Sequence, residues 1–256
     1  MEPTSRLLIE YDGTEFFGWA RQPGLRTVQG ELERALCVVL RRDAVPLTVA
    51  GRTDAGVHAR AQVASYPGEP ARADSLNALL PYDVAVLDCV VAPDGFDARR
   101  DATSRAYAYR ILTRRARSPH ERRRALHWPH AVDAEALRAS AALLPGVHDF
   151  TAFTPTDTDH VHFRRRVMAA GWDQVSPDLL EFRIEADAFM RNMIRVLVGT
   201  MLEVAGGRRT LLWFRDLLEG RPRAQAGQTA PSHGLHFLGA GYEGRRILPI
   251  PGGVHT

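Results

Sequence analysis

The stretch "AGRTDAGVHARAQVASY", residues 50–66, places a polar bend between two segments with the composition of β-strands. "LTVA" at 47–50 leads into the bend, and "AQVASY" at 61–66 leads out of it. Glycines bound the bend, which carries Arg52 and Asp54. Asp-Ala-Gly is common in turns, where the aspartate caps the bend and the glycine adopts a positive φ. Alternatively, the flanking strands hold a reactive carboxylate rigidly in place. This stretch alone leaves both interpretations open.

The composition is that of a globular protein with a weak preference for acidic partners. The chain has 256 residues, 45% of them hydrophobic and 25% charged, which is enough to bury a large core. Its formal net charge is +3, and all 33 basic side chains are arginine because the sequence contains no lysine. A biased genome explains that usage. Arginine nevertheless binds phosphate in a bidentate manner and stacks on bases, so a nucleic acid is a reasonable partner.

Cysteine usage and hydropathy indicate a soluble protein of the cytoplasm. Cys37 and Cys89 lie far apart without a CxxC pattern, which is typical of free thiols in a reducing compartment. The N-terminus lacks the basic and apolar regions of a signal peptide. The longest apolar stretch, Val196–Ala205, has about half the length that a bilayer span requires.

No motif indicates a cofactor. Neither a dinucleotide-binding nor a P-loop glycine pattern is present, so a nucleotide cofactor has no support. The histidines occur in pairs without a third ligand at a suitable spacing, which argues against a metal site. We therefore expect a protein that uses no cofactor and no metal.

The order of periodic segments predicts an α+β fold, with helices on one face of a mainly antiparallel sheet. The arginine-rich passage "RRARSPHERRRALHWPH" suggests a boundary between an N-terminal half, 1–112, and a C-terminal half, 113–256. Strands are predicted at 6–12, 47–50, 61–66, 84–91, 105–112, 167–176, 179–186 and 234–243. Helices are predicted at 28–41, 75–80, 133–144, 188–205 and 211–220.

The predicted helix "AFMRNMIRVLVGTMLEVAG" contains an arginine in an apolar setting. Arg191 and Arg195 are four residues apart and would share a helical face. A buried guanidinium at Arg195 would be costly without a partner. Either its side chain extends to solvent at the edge of the core, or it pairs with a buried carboxylate, for which Asp54 is the natural candidate.

The strand "RAYAYRIL" at 105–112 carries Tyr107 and Tyr109 on the same side. They are either core residues or part of a nucleobase pocket, in which one ring would stack on a base. The arginine runs at 114–124 and 164–166 are either solvated surface or contacts to phosphate.

Taken together, these motifs resemble the tRNA pseudouridine synthase A family. "GRTDAGVHA" alone is highly specific, and the matching motifs follow one another over nearly the whole chain. They are "YDGTEFFGWARQ" at 11–22, "TVQGELERAL" at 27–36, "GRTDAGVHA" at 51–59, "NALLPYDVAV" at 77–86, "FDARRDATSRAYAYRI" at 96–111, "GVHDFTAF" at 146–153, "FRIEADAFMRNMIRVLVGTMLEV" at 182–204 and "APSHGLHFLG" at 230–239.

The resemblance implies a role for each candidate residue. Asp54 would be the catalytic aspartate, Tyr107 the ring that stacks on the target base, and Arg195 the partner of the aspartate. Arg52 would hold the target nucleotide out of the RNA stack, and Leu235 would line the pocket. Departures from the family pattern at Ala20, Asp97 and Phe237 affect the surroundings and leave the aspartate motif intact.

The resemblance also implies a fold, a substrate and an assembly. The fold would be that of the pseudouridine synthases, in which two halves similar to ferredoxin or RNA-recognition domains join their sheets. The substrate would be the anticodon stem-loop of tRNA, with uridines 38, 39 and 40 as targets. The enzyme would be a homodimer without a cofactor.

Two other classes explain part of the pattern. A non-catalytic RNA-binding protein with an α+β sheet platform would account for the arginines and tyrosines. It gives no reason for Asp54 beside RNA, where a carboxylate repels phosphate. A metal-dependent nuclease would need further carboxylates at ligand spacing, and the sequence has none beside Asp54.

Overall fold

The computed structural model describes residues 2–158 and 161–248, which form two compact units. Unit 1 contains residues 1–105 and His236–Ile247, and unit 2 contains Ala106–Leu235 and continues at Leu248. The sequence predicted a single boundary between residues 112 and 113. In the structure the second unit begins at Ala106, and the chain returns to unit 1 at His236.

The described residues form a mixed α+β fold, as predicted. The strands are β1 (Thr4–Tyr11), β2 (Thr48–Val49), β3 (His58–Pro67), β4 (Val84–Val91), β5 (Ala102–Leu112), β6 (Leu126–His127), β7 (Gly146–Asp149), β8 (Arg164–Ser176), β9 (Leu179–Ala186) and β10 (Leu235–Tyr242). The helices are α1 (Val28–Leu40), α2 (Ala73–Asn77), α3 (Ala134–Ala142), α4 (Met193–Ala205) and α5 (Leu211–Leu217).

Unit 1 is built on a sheet in which strand β1 alternates between buried and exposed residues. Its strands lie in the order β4-β1-β3-β10, with β2 on β3, and β1 is antiparallel to both of its neighbours. Leu7, Ile9 and Tyr11 of β1 are buried, whereas Arg6, just before them, and Glu10, between Ile9 and Tyr11, are exposed. This alternation is expected of a sheet that packs against helices on one side only.

Helix α1 covers this core as its sequence predicts. The Thr27 side chain accepts a hydrogen bond from the Gly30 amide at 3.3 Å and caps the first turn. Val28, Leu32 and Leu36 form the apolar stripe of the helix and are fully buried.

Unit 2 places a hairpin at the centre of its sheet. Strands β8 and β9 are antiparallel and turn at residues 177–178, as predicted, while β7 is antiparallel to β8 and β9 neighbours β5. Helix α3 contacts β8, α4 and α5. No helix among the described residues is long and apolar enough to cross a membrane.

The prediction of one helix over 188–205 is wrong at its N-terminal end. Helix α4 begins at Met193, because Asn192 adopts the left-handed conformation with a φ of 62°. Arg191 therefore lies outside the helix and does not share a helical face with Arg195. Its guanidinium instead forms an ion pair of 2.7 Å with Asp157.

Candidate active site

The loop at residues 51–57 connects β2 to β3 and exposes two charged side chains. Arg52 and Asp54 are exposed, whereas Thr53 between them is only 6% exposed. The Val57 amide donates to the Asp54 carbonyl at 3.2 Å, and Gly56 has a φ of 77°. The predicted turn is therefore present in the backbone, while the Asp54 side chain takes no part in its hydrogen bonds.

Neutral hydrogen bonds from the sheet fix this loop. The hydroxyls of Tyr11 and Thr53 are 2.7 Å apart, and the Gln62 amide donates to the Gly51 carbonyl at 2.8 Å. Burial raises the pKa of Tyr11 to about 12, so the phenol is neutral at physiological pH. The loop is therefore held from beneath by groups that carry no charge.

The turn that follows β1 packs against the same loop. The Trp19 amide donates to the Thr53 carbonyl at 3.0 Å, and the Gly13 amide donates to Nδ1 of His58 at 3.1 Å. A Cβ at Gly13 would lie 2.0 Å from the Val57 carbonyl oxygen, so only glycine allows this approach. The motif "YDGTEFFGW" thus supports the aspartate loop, a role that sequence reasoning did not assign to it.

The carboxylate of Asp54 makes no hydrogen bond or ion pair with another described residue. The expectation of a buried carboxylate is therefore wrong, since Asp54 is exposed to solvent. The physical reason is that Thr53, not Asp54, occupies the inward position of the bend. An exposed carboxylate on a rigid loop is accessible to a substrate.

In unit 2, Tyr107 and Tyr109 are both buried on β5. Tyr107 is 7% exposed, and its ring meets Phe189 edge-to-face with the centroids 5.2 Å apart. Phe189 was missed by the sequence analysis because it was assigned to the first turn of a long predicted helix. The proposed stacking role of Tyr107 stays a prediction.

Tyr109 has a structural role. Its hydroxyl donates to the Pro231 carbonyl at 2.8 Å, and burial raises the pKa of its phenol. A Cβ at Gly234 would lie 2.7 Å from the Tyr109 ring. The tyrosine therefore holds the segment that leads to Leu235, which is 7% exposed at the start of β10.

Arg195 is half-buried in the first turn of α4, and unit 2 supplies partners for part of its guanidinium. Nε donates to the Ala230 carbonyl at 2.7 Å, and one terminal nitrogen donates to the Asn192 side-chain oxygen at 2.8 Å. The Ala230 amide in turn donates to the Arg195 carbonyl at 3.1 Å. The predicted need for a partner is met in part by neutral oxygens, which hold the side chain in one orientation.

No group of three or more His, Cys, Asp or Glu residues is placed to hold a metal ion within residues 2–158 and 161–248.

Comparison with known proteins identifies the class. A family model described as tRNA pseudouridine synthase matches residues 7–82 and 140–243. The match places the chain among the pseudouridine synthases, which are isomerases of RNA. Within that class, the chain belongs to the tRNA pseudouridine synthase family. Of the candidate residues only Tyr107 lies outside the matched ranges.

Relatives of similar length are named tRNA pseudouridine synthase A. The Myxococcus xanthus protein is 40% identical over 98% of this chain and 97% of its own length. The Bacillus pumilus and Bacillus subtilis proteins are 39% and 38% identical, each over 92% of this chain and 97% of their own length. A chain of a solved Cbf5–Nop10–Gar1 complex is 10% identical and covers 92% of this chain and 59% of that chain, with a TM-score of 0.37, which is too low to define a shared fold.

Proposed function

We propose that this protein converts uridine to pseudouridine in the anticodon stem-loop of tRNA, at positions 38, 39 and 40, with Asp54 as the reacting carboxylate. The observation that carries this proposal is the exposed Asp54 side chain on a loop that neutral hydrogen bonds hold rigid. Membership of the tRNA pseudouridine synthase family supports tRNA as the substrate.

The reaction rearranges bonds without a change in oxidation state. The bond from uracil N1 to C1′ of the ribose breaks, the uracil turns, and a new bond forms from C5 to C1′. C5 loses a proton and N1 gains one, so no cofactor is required. Asp54 acts as a nucleophile at C1′ or at C6 of uracil, or as a base on the sugar. Asp54 or Tyr107 takes the proton from C5.

Four further residues are assigned to substrate binding. The target base must leave the RNA stack, at a cost of roughly a few kcal/mol. In the proposed mechanism Arg52 keeps the flipped nucleotide out of the stack, and Tyr107 stacks on the base. Leu235 contacts the base through its apolar side chain, and Arg195 contributes its guanidinium to substrate binding. These roles rest on the family resemblance.

The assembly and location are part of the same proposal. A homodimer is implied by the family resemblance. Sedimentation equilibrium of the purified chain tests it, and the mass of a monomer would contradict it. A cytoplasmic location agrees with Cys37 and Cys89, which are half-buried free thiols. Fractionation of cells that express the full chain tests the location.

The experiment is the exchange of Asp54 for asparagine. Asp54→Asn should fold normally, with its free energy of unfolding within about 0.5 kcal/mol of wild type, because the side chain is exposed. Its rate of tritium release from tRNA labelled at C5 of uridine should fall by at least about a thousandfold. The matched control is Asp43→Asn, an exposed acid of the same unit, which should keep full activity.

Turnover by Asp54→Asn close to that of wild type would disprove the assignment. Carbodiimide mapping of the modified tRNA tests the positions independently, since pseudouridine retains the adduct. Pseudouridine at tRNA nucleotides other than 38–40 would contradict the proposed specificity while leaving the proposed chemistry intact.

A further inference from the structure

The connection between β5 and β6, residues 113–125, concentrates positive charge. This arginine loop contains six arginines and a single acid, Glu121. Its formal charge of +5 exceeds the +3 of the whole chain, so the remaining residues are acidic on balance. Such a concentration creates a local field that attracts a polyanion.

The loop is closed at its base rather than extended into solvent. Strands β5 and β6 pair in parallel through Ile111 with Leu126, and the Trp128 amide donates to the Leu112 carbonyl at 2.8 Å. Leu112 and Ala125 are buried in one apolar cluster with Leu179 of β9. The two ends of the loop therefore lie side by side, as in a compact Ω-loop.

An ionic anchor holds the loop from within. Arg110 of β5 donates to the Glu121 carboxylate at 3.1 Å, and its Nε lies 3.6 Å from the carboxylate of Glu181. Glu181 is 3% exposed and accepts a hydrogen bond of 2.7 Å from Arg183. The Glu121 carbonyl also accepts from the Arg124 and Ala125 amides, which closes the turn. The only acid of the loop thus faces inward and fixes its shape.

Three arginines of the loop remain available for a ligand. Arg115, Arg117 and Arg122 are exposed and form no hydrogen bond or ion pair with any residue in the described part of the chain. Arg114 differs, because it lies 3.6 Å from the carboxylate of Asp178. Burying Glu181, and partly burying Glu121, against Arg110 costs desolvation. A merely solvated loop would not require that arrangement, whereas a surface of defined shape would.

We propose that Arg115, Arg117 and Arg122 form a binding surface for the phosphate backbone of the RNA substrate, and that Glu121 is the positioning residue that holds them in place. This inference rests on the proposed function. Along β5, Leu112 lies about 17 Å from Tyr107 at ~3.3 Å per residue. The surface therefore binds phosphates several nucleotides from the target base and contributes to affinity rather than to the chemical step.

The first test removes the three cations from the full-length enzyme. Each phosphate contact contributes about 0.7 to 0.9 to the slope of log K against log salt concentration. In Arg115→Ala/Arg117→Ala/Arg122→Ala, that slope for unmodified tRNA should fall by about 2 to 3. KM should rise at least tenfold while kcat at saturating tRNA stays unchanged. An unchanged slope and KM would overturn the proposal. These exposed changes do not threaten folding, which a thermal unfolding curve verifies.

The second test replaces Glu121 and asks whether RNA binding becomes tighter or weaker. Removal of a negative charge should tighten RNA binding if only net charge matters. Glu121→Gln should instead weaken it at least threefold, because the loop loses its anchor. Glu135→Gln is the matched control, since it removes an exposed acid on α3, and it should bind tRNA as wild type or more tightly.

The outcomes separate this inference from the proposed function. Glu121→Gln that binds as tightly as Glu135→Gln would overturn the positioning role. Wild-type enzyme that forms no pseudouridine in tRNA would contradict the proposed function. Wild-type enzyme that is active, together with arginine variants that bind tRNA with unchanged affinity and salt dependence, would contradict only the arginine surface.

Discussion

The aspartate loop, residues 51–57, and the arginine loop, residues 113–125, are both held in a fixed shape, but by different kinds of contact. Each connects two paired strands, and each presents charged side chains to solvent from a backbone held at both ends. The aspartate loop is fixed by neutral groups, such as Tyr11 against Thr53. The arginine loop is fixed by an ion pair between Arg110 and Glu121.

The difference follows from what each loop presents. A charged anchor next to Asp54 would compete for its carboxylate, whereas neutral anchors leave the carboxylate unpaired. The arginine loop has a surplus of one charge sign, and an inward-facing acid holds it while adding little negative charge to its surface. A reactive group thus needs rigidity without electrostatic interference, whereas a phosphate-binding surface tolerates an ionic anchor.

A substitution at Gly13 should disturb the aspartate loop most strongly. In Gly13→Ala the new Cβ would lie 2.0 Å from the Val57 carbonyl oxygen, so the turn and the aspartate loop must separate. We expect a loss of about 3 kcal/mol in the free energy of unfolding. Pseudouridine formation should fall by at least about a hundredfold.

Denaturant unfolding and tritium release measure the two effects. Gly171→Ala is the control, because a Cβ there has no neighbour within 4 Å. Equal stability and activity in both variants would show that the close contact does not fix the loop.

Removal of the ionic anchor should lower stability less than Gly13→Ala does, and it should change tRNA affinity rather than the rate of the reaction. Arg110→Met removes the cation that Glu121 and Glu181 share, at an expected cost of about 2 kcal/mol for a partly buried network. The affinity for tRNA should fall while kcat stays unchanged.

Arg183→Met is the matched control for filter binding, since Arg183 contacts Glu181 but not the arginine loop. It should lower stability and leave the affinity for tRNA unchanged. An equal loss of affinity in both variants would mean that general destabilisation, and not the loop, determines binding.

The smallest effect is expected at Tyr11. Tyr11→Phe loses the hydrogen bond to Thr53, which should cost about 1 kcal/mol and lower activity only severalfold. The pH dependence of stability gives a second test of Tyr11, because burial raises the pKa of its phenol from 10.0 to about 12. The folded state therefore retains its proton between pH 10 and 12 while the unfolded state loses it. The contribution of Tyr11 to wild-type stability should therefore be constant below pH 10 and fall from pH 10 to 12.

Thermal unfolding across this range should show a shallower fall in Tyr11→Phe than in wild type. Tyr82→Phe is the control, because Tyr82 is fully exposed and its replacement should leave the slope unchanged. An identical fall in stability with pH in all three proteins would show that Tyr11 does not contribute to the pH dependence.

Most of the secondary structure could be predicted because it depends on local patterns. The alternation in β1, the cap at Thr27 and the hairpin at 177–178 each rest on interactions between residues that are close in sequence. The prediction failed at Asn192, where a left-handed residue precedes the first turn of α4 and separates it from residues 188–191. Apolar periodicity does not report the φ of a single residue.

Some features of the candidate site also follow from local sequence, whereas others depend on tertiary contacts. Residue identity and spacing are enough to define the family, the α+β class and the motif that carries Asp54. Tertiary contacts, by contrast, bury Thr53 while Asp54 stays exposed, bring Tyr11 and Gly13 against their loop, and turn Glu121 inward. These depend on contacts between residues from about 10 to more than 40 positions apart, and no local pattern encodes such contacts.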